Sequence, residues 1–309
     1  MELLHEAGEV VAWDSLDVPS VDAVHTMVKG AHAVLTLLTT KVDDAFLDAV
    51  GPQLQVVANV AVGFNNIDVA ACARRGVVCT NTPGVLTEAT ADIAMALVLM
   101  STRRLGEGER VIRSGTPWQW GMFYMLGSGI QGSQLGIVGM GDIGRALARR
   151  AKAFGVTIAY SNRTPVSPQV EAELGAQFMS MDELLETSDV VSLNCPYSPA
   201  THHLMAADEF RKMKSSAFLV NTARGPIVDE AALVDALQSG QIAGAGLDVF
   251  EHEPAVHPGL LECETAVLVP HLGSATVETR SAMARLAAHN AVNVLTGVQP
   301  PTPIPVPAS

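Results

Sequence analysis

Short apolar runs alternate with stretches of helical period through the first ~90 residues. Residues 9–14 (EVVAWD), 33–38 (AVLTLL), 55–60 (QVVANV) and 77–81 (VVCTN) read as strands, with helices between them. That alternation predicts a parallel sheet with helices on both faces. One long helix is expected over residues 87–114, ended by Gly115-Thr116-Pro117. Its early part is almost wholly apolar, so it should be covered on all sides. Residues 118–125 (WQWGMFYM) are aromatic and irregular, and read equally as a lid or interface loop and as loop packing. A second β/α series starts at Gln134, with strands at 135–138, 156–160 and 190–193. A helix over residues 276–295 follows near the end. The tail 299–309 holds five prolines and is expected to be extended and mobile.

Three further apolar runs in the second series end in residues that carry chemistry. Residues 218–223 lead to Arg224, 247–252 to Glu253, and 267–270 to His271. An arginine can hold a carboxylate through two parallel N–H bonds. A histidine exchanges a proton near neutral pH, and a neighbouring carboxylate fixes its tautomer. Three strand ends bearing a cation, a carboxylate and an imidazole suggest a cleft more than a core.

Length and composition narrow the class. The chain has 309 residues, enough for two domains with sizeable cores. A hydrophobic share of 48% and a charged share of 17% suit a soluble globular protein. The net charge of −13 argues against nucleic-acid binding and against anchoring on an anionic membrane. Cys72, Cys79, Cys195 and Cys263 lack paired spacing, which points to reduced thiols in the cytoplasm and to no metal site. No signal-peptide pattern opens the chain, and the longest apolar run, 93–100, is too short to span a bilayer.

Gly139-Met140-Gly141-Asp142-Ile143-Gly144 follows a strand and opens a helix. In that setting the glycines allow a tight turn and close approach of a pyrophosphate, which the helix-start N–H groups of Asp142, Ile143 and Gly144 can hold. Asp142 itself should face solvent. The next strand ends in Ser161-Asn162-Arg163-Thr164 with no carboxylate. An acid there would bind a ribose 2′-hydroxyl and repel a 2′-phosphate. Its absence, with the positive charge of Arg163, favours NADP(H), while NAD(H) stays possible if Arg163 is only a solvated surface residue.

With these residues in view, the chain resembles the D-isomer-specific 2-hydroxyacid dehydrogenases, in their glyoxylate/hydroxypyruvate reductase branch. The resemblance covers nearly the whole chain. It rests on 58–68 (ANVAVGFNNID), 81–87 (NTPGVLT), the glycine turn, 221–225 (NTARG), 248–254 (DVFEHEP) and 270–276 (PHLGSAT), in that order.

The resemblance implies two α/β domains with substrate bound in the cleft between them and closure about a hinge. One would be a Rossmann-type cofactor domain over 95–272. The other would be a smaller flavodoxin-like substrate domain from 1–94 and 273–309. It implies that Arg224 binds the substrate carboxylate, that His271 is the general acid in reduction, and that Glu253 pairs with His271 and favours its protonated form. It further implies that amides at Val62 and Gly63 cradle the carboxylate. Asp248 would hold the nicotinamide carboxamide, with Thr222 and Ala223 nearby. A homodimer built on the long helix and 118–125 is implied too. Broad 2-ketoacid reduction, phosphoglycerate oxidation and a non-catalytic, NAD(H)-sensing corepressor role are the alternatives.

Two positions depart from the family pattern. Members usually carry a strand and half a helix ahead of the segment matching residues 1–8, so the substrate domain is expected to lack its first strand, with an upstream start codon the favoured reason. Asn65 stands where an acid is common.

Overall fold

The computed structural model describes residues 2–15 and 17–306. It divides into two compact units, one running to Leu86 and resuming at Thr276, the other spanning Thr87–Ala275. The chain crosses between these compact units at 86/87 and 275/276, a few residues from the expected 94/95 and 272/273.

In the first unit the elements are α1 (Glu2–Ala7), α2 (Val21–Met27), β1 (Ala33–Thr36), α3 (Asp44–Val50), β2 (Val56–Asn59), α4 (Val69–Arg74) and β3 (Val78–Thr80). Side chains of Ser20, Asp43 and Asp68 cap α2, α3 and α4 by accepting a first-turn N–H. The strands form a parallel sheet in the order β1-β2-β3, with Val34 opposite Val57 and Val57 opposite Cys79. Phe46, Leu47, Val57 and Cys72 fill its core. The last helix, Val277–Leu295, lays Ala287 and Ala291 on Val56 and Ala58 of β2.

Two expectations fail in this unit. Residues 9–14 form no strand, and Val11 and Trp13 are exposed. A strand gains over hydrated coil only by pairing; β1 pairs only with β2 among the described residues, and 9–14 pair with nothing. The tail, by contrast, is ordered through Val306, while 307–309 lie outside the described residues. Asn81 N–H donates to Thr302 O at 3.2 Å and Ile304 N–H to Cys79 O at 2.8 Å. Thr302 also exchanges hydrogen bonds with the Asn290 side chain, and Ile304 is buried. The intervening prolines need no donor, because only alternate residues face β3, and the strap covers an otherwise open sheet edge.

The second unit contains α5 (Thr87–Thr102), α6 (Leu105–Arg113), β4 (Gln134–Val138), α7 (Asp142–Ala153), β5 (Thr157–Ser161), α8 (Pro168–Leu174), β6 (Ala176–Phe178) and α9 (Met181–Thr187). It continues with β7 (Val190–Leu193), α10 (Ala207–Lys212), β8 (Phe218–Asn221), α11 (Glu230–Gln238), β9 (Gly244–Leu247), α12 (Pro258–Glu262) and β10 (Ala266–Leu268). Seven parallel strands lie in the order β10-β9-β8-β7-β4-β5-β6. The order reverses between β4 and β7, and ligands of doubly wound sheets bind beyond the strand C-termini at such a point. Strands β7, β8 and β9 are buried along their whole length, as a sheet covered on both faces requires.

The expected long helix is two helices. Arg104 adopts a left-handed conformation (φ 55°) at the break. There the chain near Gly127 crosses so closely that a Cβ on it would lie 2.6 Å from Thr102 O, and Ser128 N–H takes that carbonyl. α5 packs on α7 and β9, and Arg149 and Arg150 of α7 bond to Glu88 in its first turn, which ties the start of α5 to this unit. β6 has no counterpart among the expected strands, since AQF carries no readable pattern.

Candidate active site

Arg224, Glu253 and His271 follow the C-termini of β8, β9 and β10, the three strands at one end of the sheet. The turn after β8 is shaped by Asn221. Its Oδ1 accepts Ala223 N–H at 3.0 Å, and its Nδ2 donates to Arg224 O at 2.9 Å. Gly225 lies against the next loop, where a Cβ would come within 1.9 Å of Phe250 C and O. No other residue fits there, so the Arg224 turn and the Glu253 loop are held in backbone contact. The Arg224 guanidinium donates to Ala223 O at 2.6 Å. Burial pulls its pKa down while the charge of Glu253 pushes it up; an arginine nonetheless stays charged in proteins.

Glu253 Oε2 lies 2.8 Å from His271 Nδ1, and its Oε1 accepts Phe250 N–H at 2.9 Å. Burial opposes ionisation of Glu253. The bonds from His271 and Phe250, with the charges of His271 and Arg224, outweigh it and hold the carboxyl below its ordinary value. An ionised carboxylate only accepts, so Nδ1 of His271 is the donor and Nε2 is left for other chemistry. His271 has φ 52°, a conformation rare for a non-glycine residue and frequent at functional sites.

Asp248 enforces that conformation. Its carbonyl accepts His271 N–H at 2.9 Å, while Oδ1 and Oδ2 accept Leu272 N–H at 2.5 Å and Gly273 N–H at 2.8 Å. Burial pushes the Asp248 carboxyl up, against the pull of the two amides. The residue expected to hold a carboxamide thus also shapes the His271 turn.

Glu253 has a stability consequence. Its carboxyl titrates lower in the fold than its ordinary value of 4.5, so its bonds stabilise the protein fully above that value, and the contribution is lost as pH falls through the folded pKa. Urea midpoints of the protein and of Glu253→Gln should therefore differ most near neutral pH and converge as the pH falls through the folded carboxyl's lowered pKa. A gap that persists in acid would contradict the dyad.

The nucleotide turn fits a dinucleotide on grounds internal to the fold. Gly139 (φ 100°) sits against the chain at Asn194–Cys195, and a Cβ on Gly144 would lie 2.3 Å from Gly139 O. Gly141 differs: a Cβ there meets nothing within 4 Å, so protein packing does not explain the glycine, and a close ligand would. No side chain caps the N-terminus of α7, whose exposed Asp142, together with Ile143 and Gly144, forms its first turn. Buried Thr222 Oγ1 and Asn194 Oδ1, at the ends of β8 and β7, have no hydrogen-bond partner among the described residues. Such atoms are ordinarily satisfied, and a bound ligand would do so.

After β5, Asn162 Oδ1 is spent on Met140 N–H at 2.7 Å, tying this corner to the glycine turn. Arg163 and Thr164 are exposed, beside half-buried Ser161 and Asn162. In the first unit, Asn81 and Asn59 donate to the carbonyls of Val62 and Gly63 at 2.8 and 3.0 Å. The N–H groups of Val62 and Gly63 donate to no described residue. Asn59, Asn81, Asn194, Asn221 and Gly225 escaped sequence reading as site-shaping residues. For Asn221, an asparagine closing an apolar run was an available signal of a side-chain-closed turn. No described group of three or more His, Cys, Asp or Glu residues could hold a metal, and no described helix is long and apolar enough to cross a membrane.

Residues 95–273 match the family model of the D-isomer specific 2-hydroxyacid dehydrogenase NAD binding domain. The chain is 46% identical over 307 residues to a glyoxylate reductase of Thermococcus onnurineus, covering 98% of this chain and 91% of that one. It superimposes on the TT0316 protein of Thermus thermophilus with a TM-score of 0.91 at 41% identity, covering 98% and 95% of the two chains. An NADPH-dependent glyoxylate/hydroxypyruvate reductase of Sinorhizobium meliloti, solved with NADP and malonate, matches with a TM-score of 0.82 at 35% identity, covering 98% and 93%. Site geometry, family model and near full-length similarity converge: the chain belongs to the D-isomer-specific 2-hydroxyacid dehydrogenases.

Proposed function

We propose that the protein reduces a small 2-oxo acid, glyoxylate or hydroxypyruvate, to the 2-hydroxy acid, with NADPH preferred over NADH. The observation that carries this reading is the Glu253–His271 pair beside the pinned Arg224 turn, at the C-terminal end of a nucleotide-binding sheet. Glyoxylate is named for the Thermococcus onnurineus relative, and glyoxylate and hydroxypyruvate for the Sinorhizobium meliloti enzyme.

In the proposed mechanism Arg224 holds the substrate carboxylate and polarises the keto oxygen. His271 Nε2 gives a proton to the oxygen as charge grows there, and Glu253 stabilises and orients the imidazolium before that transfer. A nicotinamide, when bound, supplies the hydride that reaches the carbonyl carbon. Hydride and proton together reduce C=O to CH–OH, and solvent reprotonates His271. Gly139, Gly141, Ile143 and Gly144 would hold the pyrophosphate, and Thr222, Ala223, Asn194 and Asp248 would serve the nicotinamide end. Ser161, Asn162, Arg163 and Thr164 would receive the 2′-phosphate.

A panel of 2-oxo acids assayed with NADPH and NADH in parallel tests the reading. Turnover is expected with glyoxylate and hydroxypyruvate; no NADPH oxidation with any 2-oxo acid would overturn it. Arg163→Ala is expected to weaken NADPH binding about tenfold, as loss of a charged phosphate contact should, and to leave NADH nearly unchanged. An equal effect on both cofactors would remove the NADP argument.

The exposed aromatic segment after α6 supports a homodimer. Trp120 and Phe123 are 81% and 84% exposed, and Trp118, Met122 and Leu126 are exposed beside them. Trp120→Asp with Phe123→Asp should convert a dimer to a monomer in sedimentation velocity; an unchanged dimer would place the interface elsewhere.

A further inference from the structure

We propose that His203 and Glu251 form a positioning clamp that sets the Glu253 loop against the Arg224 turn, acting on the rate of reduction through Glu253 without touching the substrate. This rests on the mechanism proposed above. His203 Nε2 lies 2.7 Å from Glu251 Oε1, across 48 positions of chain. The second Glu251 oxygen accepts Glu230 N–H at 3.4 Å, and Glu251 N–H returns a bond to Glu230 Oε1 at 2.8 Å. One side chain thus joins three segments: the turn at His203, the start of α11 and the loop before Glu253.

The turn carrying His203 is itself attached to the segment after Arg224. His203 N–H donates to Pro226 O, Met205 N–H to Ile227 O, and Asp229 N–H to Met205 O, at 2.9, 3.0 and 3.0 Å. His203 has φ 50°, an unusual conformation for a histidine, and aims its ring at Glu251 from it. The ring is stacked on His202 at 4.0 Å, with Asp229 Oδ2 at 4.0 Å from Nδ1. Residues 248–257, where Glu253 lies, belong to no helix or strand. Their placement therefore depends on side-chain ties, and Glu251 supplies the tie two residues before the catalytic carboxylate. Phe250 N–H, one residue before Glu251, is the group that holds Glu253 Oε1. The path runs from His203 to Glu251, through the backbone to Phe250 N–H, to Glu253 and then His271. A misplacement of about an ångström is enough to slow such chemistry substantially.

A double-mutant cycle tests the clamp, using the full chain with glyoxylate and NADPH. His203→Ala is expected to lower kcat about tenfold, with the KM for glyoxylate and the NADPH dissociation constant, read by fluorescence, within about twofold. His203→Gln, which keeps a donor nitrogen, should recover most of the loss. In a Glu253→Gln background His203→Ala should cost almost nothing more, because the path it acts through is already cut. If His203→Ala does not fold, Glu251→Gln, which keeps an acceptor for Glu230 N–H, enters the same cycle. Additive losses in the Glu253→Gln background would overturn the clamp, as would a loss seen in NADPH binding in place of kcat. Wild-type turnover in the same assay tests the underlying mechanism separately: its absence would sink that reading, whereas turnover with additive losses would sink the clamp alone.

Discussion

Replacing His271 with Gln is expected to lower kcat for glyoxylate reduction by ~10²–10⁴, the usual contribution of a positioned general acid. The NADPH dissociation constant should stay within about twofold, because the glycine turn and the strand ends proposed to hold the cofactor are untouched. The proposed role falls to one nitrogen. Nδ1 is committed to Glu253 at 2.8 Å, so Nε2 is the atom that would donate the proton. The left-handed backbone at His271 is held by Asp248 through three hydrogen bonds, so the substitution should preserve the turn. Pre-steady-state kinetics and cofactor fluorescence, run on one preparation, separate the two quantities. A variant that turns over at the wild-type rate would mean that another group delivers the proton.

Arg224→Gln should cost as much or more, and in a different pattern. In the proposed mechanism it removes the cation that would bind the carboxylate and the N–H donors that would stabilise the growing oxyanion. A single donor to such an oxyanion is worth ~10²–10³ in rate. We expect kcat/KM for glyoxylate to fall by about 10³ or more, with a rise in KM and a fall in kcat both contributing. The loss should shrink when the substrate carboxylate is replaced by an amide, since the charge-assisted part is then absent from both enzymes. Lysine should not restore activity, because its point charge lacks the planar fork. An equal loss on acid and amide would show that Arg224 acts on structure and not on the carboxylate.

Most of the second unit could be read from the chain, and the reasons are local. Its strands are buried on both faces, so they stand out as short unbroken apolar runs, and the residue after each run is where a parallel sheet displays its chemistry. The glycine turn was legible because strand, turn and helix follow in one continuous segment. What escaped depends on distant partners. Gly225 is required by the backbone at Phe250, and nothing near it in sequence announces that contact. Asp248 is expected from the sequence to serve the cofactor, and its bonds to the amides after His271 are a further role that no local pattern announces. The helix break at Arg104 is imposed by a chain crossing near Gly127. In the first unit, residues 9–14 have the composition of a strand and no neighbour to pair with. The proline-rich tail looks mobile in sequence because prolines cannot join a ladder, yet Thr302 and Ile304 supply enough bonds to fasten it beside β3.

The central claim is that Arg224, Glu253 and His271 carry out hydride reduction of a 2-oxo acid. Its most direct test is mass spectrometry of the product formed from glyoxylate and NADPH deuterated at both C4 positions. The account predicts glycolate carrying one deuterium on carbon 2, formed by the wild-type protein and far more slowly by His271→Gln. No deuterated glycolate from the wild-type protein, or equal amounts from both, would contradict it.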